Sequence, residues 1–181
     1  DIIKYKGAFT LELSRGCNYS QCTFCPRAHK GGRWRCLSVD RMISYFTLYA
    51  DICNKLKQDP SFYIADEEFI GQLPHEKELE RMVSFCNRIK ALNLNIRFDI
   101  SARVDSIYKP EVSDEQNIEH LQIWSMLREI GLNRLFLGVE SGCDAQLIRY
   151  NKGTTSDQNA VALKLITALG INIRFGYITF D

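Results

Sequence analysis

The sequence has no marked excess of positive or negative charge. Its 23 lysine and arginine residues are balanced by 22 aspartate and glutamate residues, which leaves a formal net charge of +1. A dedicated DNA-binding domain needs clustered positive charge to neutralise phosphates. We therefore expect no nucleic-acid partner.

Long apolar segments are also missing. No apolar run approaches the ~18 residues of a transmembrane helix, and no basic segment followed by an apolar one marks a secretory signal. We therefore expect no membrane partner and place the protein in the cytoplasm. Low-complexity segments and internal linkers are absent as well. The 181 residues are expected to form one domain, 1–181, because a chain of this length can bury a single sizeable core.

The two ends of the sequence lack the usual marks of a complete chain. The sequence begins at Asp1 without a methionine and stops at Asp181 directly after a strand-like run. We therefore expect the domain to be a piece of a longer polypeptide.

Cysteine, in contrast, is plentiful. There are seven cysteines, and an odd number in a domain large enough to hold itself together argues against a disulfide framework. Three of them, Cys17, Cys22 and Cys25, are crowded into one short segment. These three need an explanation of their own.

The hydrophobic pattern alternates strands with helices. Five runs are strand-like: 9–13, 61–65, 95–100, 135–139 and 171–180. Four segments between them have the three- and four-residue apolar spacing of helices: about 39–57, about 75–91, 118–130 and 155–169. Ser38 is a predicted N-cap, and Thr155 and Gln158 have capping-box spacing.

The strand-like runs favour a parallel sheet. Runs such as 135–139 are apolar on both faces, as in parallel strands that are covered by helices. We predict the α/β class, with a partial, open, parallel β/α barrel of the TIM-barrel type and about five β/α units. A doubly wound open sheet is the alternative.

The crowded cysteines lie in a loop that follows the first predicted strand. Three thiolates at such spacing can wrap one cluster or metal, because thiolate is the soft ligand that iron–sulfur clusters and Zn²⁺ require. An electron-transfer domain with a fully ligated [2Fe–2S] cluster would need a distant fourth cysteine. Cys53 is the candidate, although it lies on the apolar stripe of a predicted helix. A structural zinc module would need His29 or Cys36.

A third possibility leaves one iron without a protein ligand. Three cysteines on a cubane [4Fe–4S] cluster leave one coordination position open, and an open position distinguishes a reactive metal site from a structural one. A substrate or cofactor could then bind the metal directly.

The cysteine segment resembles the cluster-binding loop of radical S-adenosylmethionine (radical SAM) enzymes. The likeness is carried by Arg15-Gly16-Cys17 through Cys22-Thr23-Phe24-Cys25. It continues, in family order, through further segments after the later predicted strands: 65–69, 101–105, 137–142, 151–155 and 176–180. It is similar above all to the branch whose members often carry a cobalamin-binding domain before the radical SAM barrel. The chain departs from the usual C-x3-C-x2-C spacing by one extra residue between Cys17 and Cys22.

The resemblance implies an enzyme and its cofactors. Cys17, Cys22 and Cys25 would bind a [4Fe–4S] cluster, and S-adenosylmethionine would bind the open iron. Its reductive cleavage would yield a 5′-deoxyadenosyl radical that acts on an unknown small-molecule or peptide substrate, by methyl transfer or by a rearrangement that starts with hydrogen abstraction. An electron donor such as flavodoxin or ferredoxin would be needed. Cobalamin is expected, if it is used, in a neighbouring domain.

The resemblance also implies which carboxylates contact S-adenosylmethionine. Glu67 would accept a hydrogen bond from the amino group, with Asp66 or Glu68 in its place if the register differs by one. Glu140 would accept from the ribose or the amino group. These residues follow predicted strands, whose carboxyl-terminal ends converge on one mouth in a β/α barrel.

The remaining implied contacts concern the methionine carboxylate and the adenine. Arg103, with Ser101, would hold the carboxylate or the ribose, since a guanidinium can form two parallel hydrogen bonds to a carboxylate. Phe24, together with Tyr177 or Ile178, would line the adenine.

Overall fold

Five parallel strands form the sheet that organises this protein. The computed structural model describes residues 9–26, 33–71 and 75–179. Its strands in chain order are β1 (Phe9–Leu11), β2 (Ser14–Arg15), β3 (Arg35–Cys36), β4 (Ser61–Ile64), β5 (Arg97–Arg103), β6 (Leu132–Glu140) and β7 (Asn172–Tyr177). The large sheet contains β1 and β4 to β7, whereas β2 and β3 pair antiparallel as a separate small ribbon.

Helices connect the parallel strands and cover one face of the sheet. They are α1 (Val39–Lys55), α2 (Glu76–Leu92), α3 (Asp114–Glu129), α4 (Asp144–Arg149) and α5 (Ser156–Ala168), with a short 3-10 helix at Val104–Ser106 after β5. Across the described ranges, none of these helices combines the length and the apolar character that crossing a membrane would require.

The strand order decides between the two predicted architectures. Neighbours in the large sheet follow one another along the chain, in the order β1-β4-β5-β6-β7, and all of the pairs are parallel. A doubly wound sheet would reverse its strand order at a switch point, and this sheet does not. The prediction of a partial, open β/α barrel is therefore confirmed.

A cluster of aromatic rings fixes α1 and α2 against the sheet. Phe46 of α1 lies edge-on to Phe62, Phe85 and Phe98, with ring centroids 4.9, 5.3 and 5.6 Å away. Edge-to-face packing of this kind adds to the stabilisation that comes from burying the rings. It holds β4 and β5 in place, so that the loops at their carboxyl ends start from rigid positions.

The predicted helix starts are confirmed at two sites and shifted at a third. The Ser38 side chain accepts from the Arg41 backbone N–H, and Thr155 accepts from the Gln158 backbone N–H. Helix α3 begins at Asp114, ahead of the predicted start at 118, because Ser113 forms a capping box with Gln116. Its first turn is polar and therefore left no apolar periodicity to detect.

Two short elements were not predicted. The antiparallel ribbon of β2 and β3 occupies positions predicted to be loop, and α4 fills part of the region between the fourth predicted strand and the last predicted helix. The last predicted strand, 171–180, corresponds to β7 over Asn172–Tyr177. Its final residue, Phe180, lies outside the described residues.

Candidate active site

A cavity of about 390 Å³ opens at the carboxyl ends of the parallel strands. Its walls come from the cysteine loop, from the ends of β4, β5 and β6, and from the segment after α4. The lining residues are Cys17, Cys22, Phe24, Cys25, Tyr63, Ala65, Asp66, Glu67, Ser101, Ala102, Arg103, Phe136, Gly138, Glu140 and Lys152. The structure therefore brings all three crowded cysteines together with most of the other predicted site residues.

The cysteine loop is docked on the segment that follows α4. The Thr23 backbone N–H donates to the Tyr150 carbonyl oxygen at 2.9 Å. The side-chain amide of Asn151 donates to the Gln21 carbonyl oxygen, also at 2.9 Å. These bonds place Cys22 and Cys25 against a segment that the sequence marked as family-like but whose role it did not predict.

Gly153 allows this docking because it lacks a side chain. Its φ is +71°, in the left-handed region, and a Cβ there would lie 2.5 Å from the Tyr19 ring of the cysteine loop. The Tyr19 hydroxyl also donates to Asn151 Oδ1 at 3.3 Å. Any other residue at 153 would displace the tyrosine or the backbone.

Three consecutive carboxylates after β4 hold the backbone that leads into and past Cys17. Each accepts one backbone N–H: Asp66 from Leu13 at 2.8 Å, Glu67 from Gly16 at 2.9 Å, and Glu68 from Asn18 at 3.3 Å. A carboxylate that accepts a backbone N–H makes a strong, charge-assisted hydrogen bond. The acidic segment therefore fixes the start of the cysteine loop.

The second carboxylate oxygen of Asp66 is not engaged by the residues that the structure describes. The residue is 2% exposed, and its Oδ2 has no hydrogen-bond partner within the described part of the chain. Burial raises the pKa of this carboxyl, although the Leu13 N–H opposes the shift. Asp66 also borders the cavity.

Glu68, the substitute for Glu67 if the register differed by one, does not border this cavity. Its side chain turns towards the Asn18 N–H and lines a separate cavity of about 160 Å³. Burial raises the pKa of Glu68 to about 7, with a further contribution from Asp105 and an opposing one from Arg103. Of the three acidic residues, Asp66 and Glu67 line the cavity that the cysteines share, whereas Glu68 interacts with Cys17 from outside it.

Arg103 is 6% exposed and is almost fully engaged within the protein. Its Nε and Nη2 form two hydrogen bonds to the Asp105 carboxylate, at 2.9 and 3.1 Å. Nη2 also donates to the Lys152 carbonyl oxygen at 3.0 Å, and Nη1 lies 3.8 Å from Cys22 Sγ. Arg103 lines the cavity, and it would have to release Asp105 to bind a ligand carboxylate through Nε and Nη2 together.

Lys152 is a functional candidate that the sequence did not single out. It is 4% exposed, its Nζ donates to Glu140 Oε1 at 3.2 Å, and the same ammonium lies 5.9 Å from the centroid of the Phe24 ring. Its charge therefore lies at the wall of the cavity that the cysteines share. The family-like segment 151–155 was the only signal that could have pointed to it.

Glu140 is held in an unusual backbone conformation. Its φ is +64°, at a register irregularity where β6 ends beside β7. The carboxylate lies over Gly138, where a Cβ would come within 3.0 Å of Oε1. Left-handed conformations of non-glycine residues carry strain and cluster at functional sites.

The remaining predicted contacts divide into two groups. Ser101, whose Oγ lies 3.1 Å from the Tyr63 hydroxyl, and Phe24 both line the cavity. Tyr177 and Ile178 do not, because Tyr177 is 53% exposed at the end of β7 and Ile178 lies beyond it, where its N–H donates to the Glu140 carbonyl oxygen. The structure therefore does not bring these two residues to the cavity as predicted.

The other four cysteines lie away from the cavity. Cys53 is buried in the last turn of α1, which leads to the amino-terminal end of β4, at the edge of the sheet opposite the cavity. Cys86 is buried on α2, Cys143 is exposed, and Cys36 borders a different pocket. Cys53 is therefore unavailable as the fourth ligand of a [2Fe–2S] cluster.

The three thiols that line the cavity are the type of ligand that a cubane [4Fe–4S] cluster requires. The cavity presents three thiols, and no other described cysteine borders it. Among the described residues, no three histidine, cysteine or acidic side chains converge closely enough to hold a single metal ion. His29, the other candidate zinc ligand, lies outside the described residues.

Comparison with known sequences finds relatives of different closeness, whereas no family model matches the chain. The chain is 48% identical over 181 residues to 4′-phospho-dehydrooxetanocin synthase of Priestia megaterium, covering 100% of this chain and 24% of that protein. It is 24% identical over 188 residues to the hopanoid C-3 methylase of Methylococcus capsulatus, covering 98% of this chain and 32% of the methylase.

Solved structures agree with these sequence relatives. The cobalamin-dependent S-adenosylmethionine radical enzyme OxsB, with aqua-cobalamin and S-adenosylmethionine bound, matches with a TM-score of 0.94 at 48% identity, over 99% of this chain and 25% of OxsB. TsrM of Kitasatospora setae, a radical S-adenosylmethionine methyltransferase with cobalamin and a [4Fe–4S] cluster bound, matches with a TM-score of 0.69 at 16% identity. That match covers 98% of this chain and 32% of TsrM, and at such low identity it concerns the fold alone.

The fold, the cysteine loop and these relatives together define the class: the chain belongs to the radical SAM superfamily. Within the superfamily it falls in the cobalamin-associated branch. The chain spans about a quarter of the length of the Priestia megaterium synthase and of OxsB.

Proposed function

We propose that this chain forms the catalytic core of a radical SAM enzyme. Cys17, Cys22 and Cys25 would bind a [4Fe–4S] cluster, and S-adenosylmethionine would occupy the remaining position at the open iron. The observation that carries the proposal is the convergence of these three thiols with carboxylates and a buried ammonium on one cavity. A relative with 48% identity over the whole chain supports it.

The cofactors would supply the difficult chemistry, and the chain would position them. When bound, the cluster and S-adenosylmethionine supply reductive cleavage of a carbon–sulfur bond and a 5′-deoxyadenosyl radical. The chain's own contribution is a cavity whose backbone walls are fixed by the acidic segment after β4 and by Asn151. Rigid walls of this kind keep reacting groups in one geometry and exclude water.

Individual contacts to S-adenosylmethionine follow from which groups face the cavity. Asp66, through its unpartnered Oδ2, and Glu67 would accept from the amino group. Lys152 would attract the methionine carboxylate, because its ammonium faces the cavity whereas the guanidinium of Arg103 is bound to Asp105.

The same cavity provides groups for the nucleoside part. Ser101 would donate to the carboxylate or to a ribose hydroxyl, and Glu140 would accept from the ribose. Phe24, a half-exposed ring at the edge of the cavity, would lie against the adenine. The earlier expectation for Tyr177 and Ile178 would require a rearrangement of the end of β7.

The substrate and partners are proposed from the relatives. OxsB is described with aqua-cobalamin and S-adenosylmethionine bound, so we propose the same two cofactors here, with cobalamin held by a part of the protein beyond this chain. The substrate class would be a small molecule, as for 4′-phospho-dehydrooxetanocin synthase. A reductant of the flavodoxin or ferredoxin class would supply electrons.

All seven cysteines are free thiols, which suits a reducing compartment such as the cytoplasm.

Anaerobic reconstitution with iron and sulfide tests the proposal. We expect about four irons per chain, since a [4Fe–4S] cluster is the group that three cysteines would hold here, a spectral change on adding S-adenosylmethionine, and 5′-deoxyadenosine after reduction. Cys22→Ala should lose all three, whereas Cys143→Ala, which removes an exposed thiol outside the cavity, should keep them. Two irons without a response to S-adenosylmethionine would establish an electron-transfer domain instead. A colourless protein that contains zinc would establish a structural zinc module.

A further inference from the structure

The guanidinium of Arg103 reaches one of the proposed cluster ligands from inside the protein. Nη1 lies 3.8 Å from Cys22 Sγ, at a distance suited to an N–H···S hydrogen bond. Both groups are buried, Arg103 being 6% exposed and Cys22 8% exposed. Few water molecules can therefore compete for this contact.

Three other contacts fix the direction in which that N–H points. Asp105 binds Nε and Nη2 together, the Lys152 carbonyl oxygen accepts from Nη2, and the guanidinium carbon lies 4.3 Å from the centroid of the Tyr19 ring. These partners come from the 3-10 helix after β5, from the segment after α4 and from the cysteine loop. A planar guanidinium held on several edges has little freedom to turn, so Nη1 stays directed at the sulfur.

The charge of Arg103 is secure in this setting. A guanidinium is not deprotonated in proteins, and Asp105 pairs with it at 2.9 Å. The donor that lies beside Cys22 is therefore a charged one.

We infer that Arg103 is a positioning residue that donates a charged hydrogen bond to the Cys22 sulfur and thereby sets the reduction potential of the cluster. The inference rests on the proposed function, because it requires a cluster on Cys22. Hydrogen bonds to cluster sulfurs and the local net charge are the means by which proteins set such potentials. A donor beside the thiolate stabilises the reduced cluster more than the oxidised one, because the reduced cluster carries more negative charge. Asp105 moderates this effect by neutralising part of the charge of Arg103.

The inference predicts shifts of opposite sign for two neighbouring substitutions. Arg103→Gln removes the charged donor, so the ratio of reduced to oxidised cluster at a fixed potential should fall about tenfold. For a one-electron couple this corresponds to a midpoint about 59 mV more negative. Asp105→Asn leaves Arg103 in place with its charge uncompensated, so its midpoint should move to a less negative value.

The measurement is a potentiometric titration with dithionite, followed by electron paramagnetic resonance, on the reconstituted full-length protein. Arg134→Gln is the matched control, because Arg134 also forms a two-pronged pair with an aspartate, Asp99, on the same sheet but does not border the cavity. Its midpoint should equal that of the unchanged protein. Iron content and the dissociation constant for S-adenosylmethionine are measured on every variant.

The outcomes separate this inference from the proposed function. If the unchanged protein forms no [4Fe–4S] cluster, the proposed function is wrong. If it forms one and the midpoints of Arg103→Gln and Asp105→Asn both equal that of the control, the inference is overturned while the proposed function stands. If Arg103→Gln cannot retain a cluster, Asp105→Asn decides alone, since a less negative midpoint supports the inference and an unchanged one overturns it.

Discussion

Glu140 and Lys152 form a partly buried ion pair at the wall of the candidate active site, with Oε1 and Nζ 3.2 Å apart. Glu140 ends β6 in a left-handed conformation, and Lys152 follows α4. A buried charge is tolerated when it is paired, and removing one partner leaves the other uncompensated. The pair therefore presents an ammonium to the cavity without the penalty of an isolated charge.

Replacing Lys152 with glutamine tests its proposed role in binding S-adenosylmethionine. We expect the affinity for S-adenosylmethionine to fall about tenfold, equal to about 1.4 kcal/mol, because the positive charge that would attract the methionine carboxylate is lost. Stability should fall as well, by roughly 1–3 kcal/mol, since the partly buried Glu140 loses its partner. Equilibrium dialysis and urea unfolding measure the two effects.

Lys152→Arg provides the control for this prediction. Arginine retains the charge and a hydrogen bond to Glu140, so most of the affinity should return. Unchanged affinity in Lys152→Gln would show that the methionine carboxylate is held elsewhere in the cavity.

Gly153 supports a second prediction, which concerns the docking of the cysteine loop. In Gly153→Ala, the added Cβ would lie 2.5 Å from the Tyr19 ring at a φ of +71°. We expect a loss of stability of roughly 2–5 kcal/mol, since left-handed strain costs about 1–2 kcal/mol and overpacking about 1–3 kcal/mol. The loop should also retain less iron after reconstitution, as measured by iron analysis.

Two further glycines separate the causes of that loss. Gly170 has a φ of +70° with nothing within 4 Å of an added Cβ, so Gly170→Ala reports the backbone strain alone. Gly142 has similar space without a left-handed φ, and Gly142→Ala should be nearly neutral. If Gly153→Ala costs no more than Gly170→Ala, the Tyr19 contact does not restrict this position.

The parts of the fold that were predictable are those with a strong local signal. The run 135–139 is apolar on both faces because Leu135, Leu137 and Val139 are buried in the core, whereas Phe136 and Gly138 line the cavity on the other face. Its parallel pairing could therefore be predicted. Helix α1 could be predicted because Met42, Phe46 and Cys53 repeat on its buried face. The ribbon of β2 and β3 has two residues in each strand, too few for any periodicity to appear.

The parts of the site that were not predictable depend on tertiary contacts. Lys152 is a charged residue in a loop, and only the docking of the cysteine loop buries it beside Glu140. The acidic segment could be placed at the carboxyl end of β4, but the sequence could not decide which of its members border the cavity. That choice depends on the Asn18 N–H, which draws Glu68 away from the cavity.

His120 predicts a dependence of stability on pH. It is 0% exposed on α3, and neither ring nitrogen has a hydrogen-bond partner within the described ranges. Burial lowers its pKa from 6.5 to about 4, with a smaller contribution from Lys109. Between these two values the unfolded chain binds a proton that the folded chain does not, so this group's contribution to stability is complete above pH 6.5 and is lost as the pH falls towards 4.

His120→Leu should remove this dependence, since leucine does not titrate. At pH 5 we expect the free energy of unfolding of the unchanged protein to have lost on the order of 1–2 kcal/mol through His120, measured by urea unfolding against pH 7. The difference between the unchanged protein and the variant isolates this term, because Glu68, with its raised pKa, acts in the opposite direction in both. Equal pH dependence in the two proteins would contradict the prediction.

Asp66 allows ligand binding to be separated from folding. Oδ1 accepts from the Leu13 N–H at 2.8 Å, whereas Oδ2 has no partner among the described residues. Asp66→Asn can keep the first bond through its amide oxygen while it replaces the second oxygen with a donor. Stability should therefore be preserved. A ligand ammonium, however, would meet an N–H instead of a carboxylate, so the affinity for S-adenosylmethionine should fall about tenfold, or about 1.4 kcal/mol.

Asp66→Ala should in addition destabilise the protein by about 1–3 kcal/mol, because it leaves the Leu13 N–H buried without an acceptor. Calorimetric titration and urea unfolding of both variants measure these effects, and full affinity in Asp66→Asn would assign the amino group to Glu67 instead.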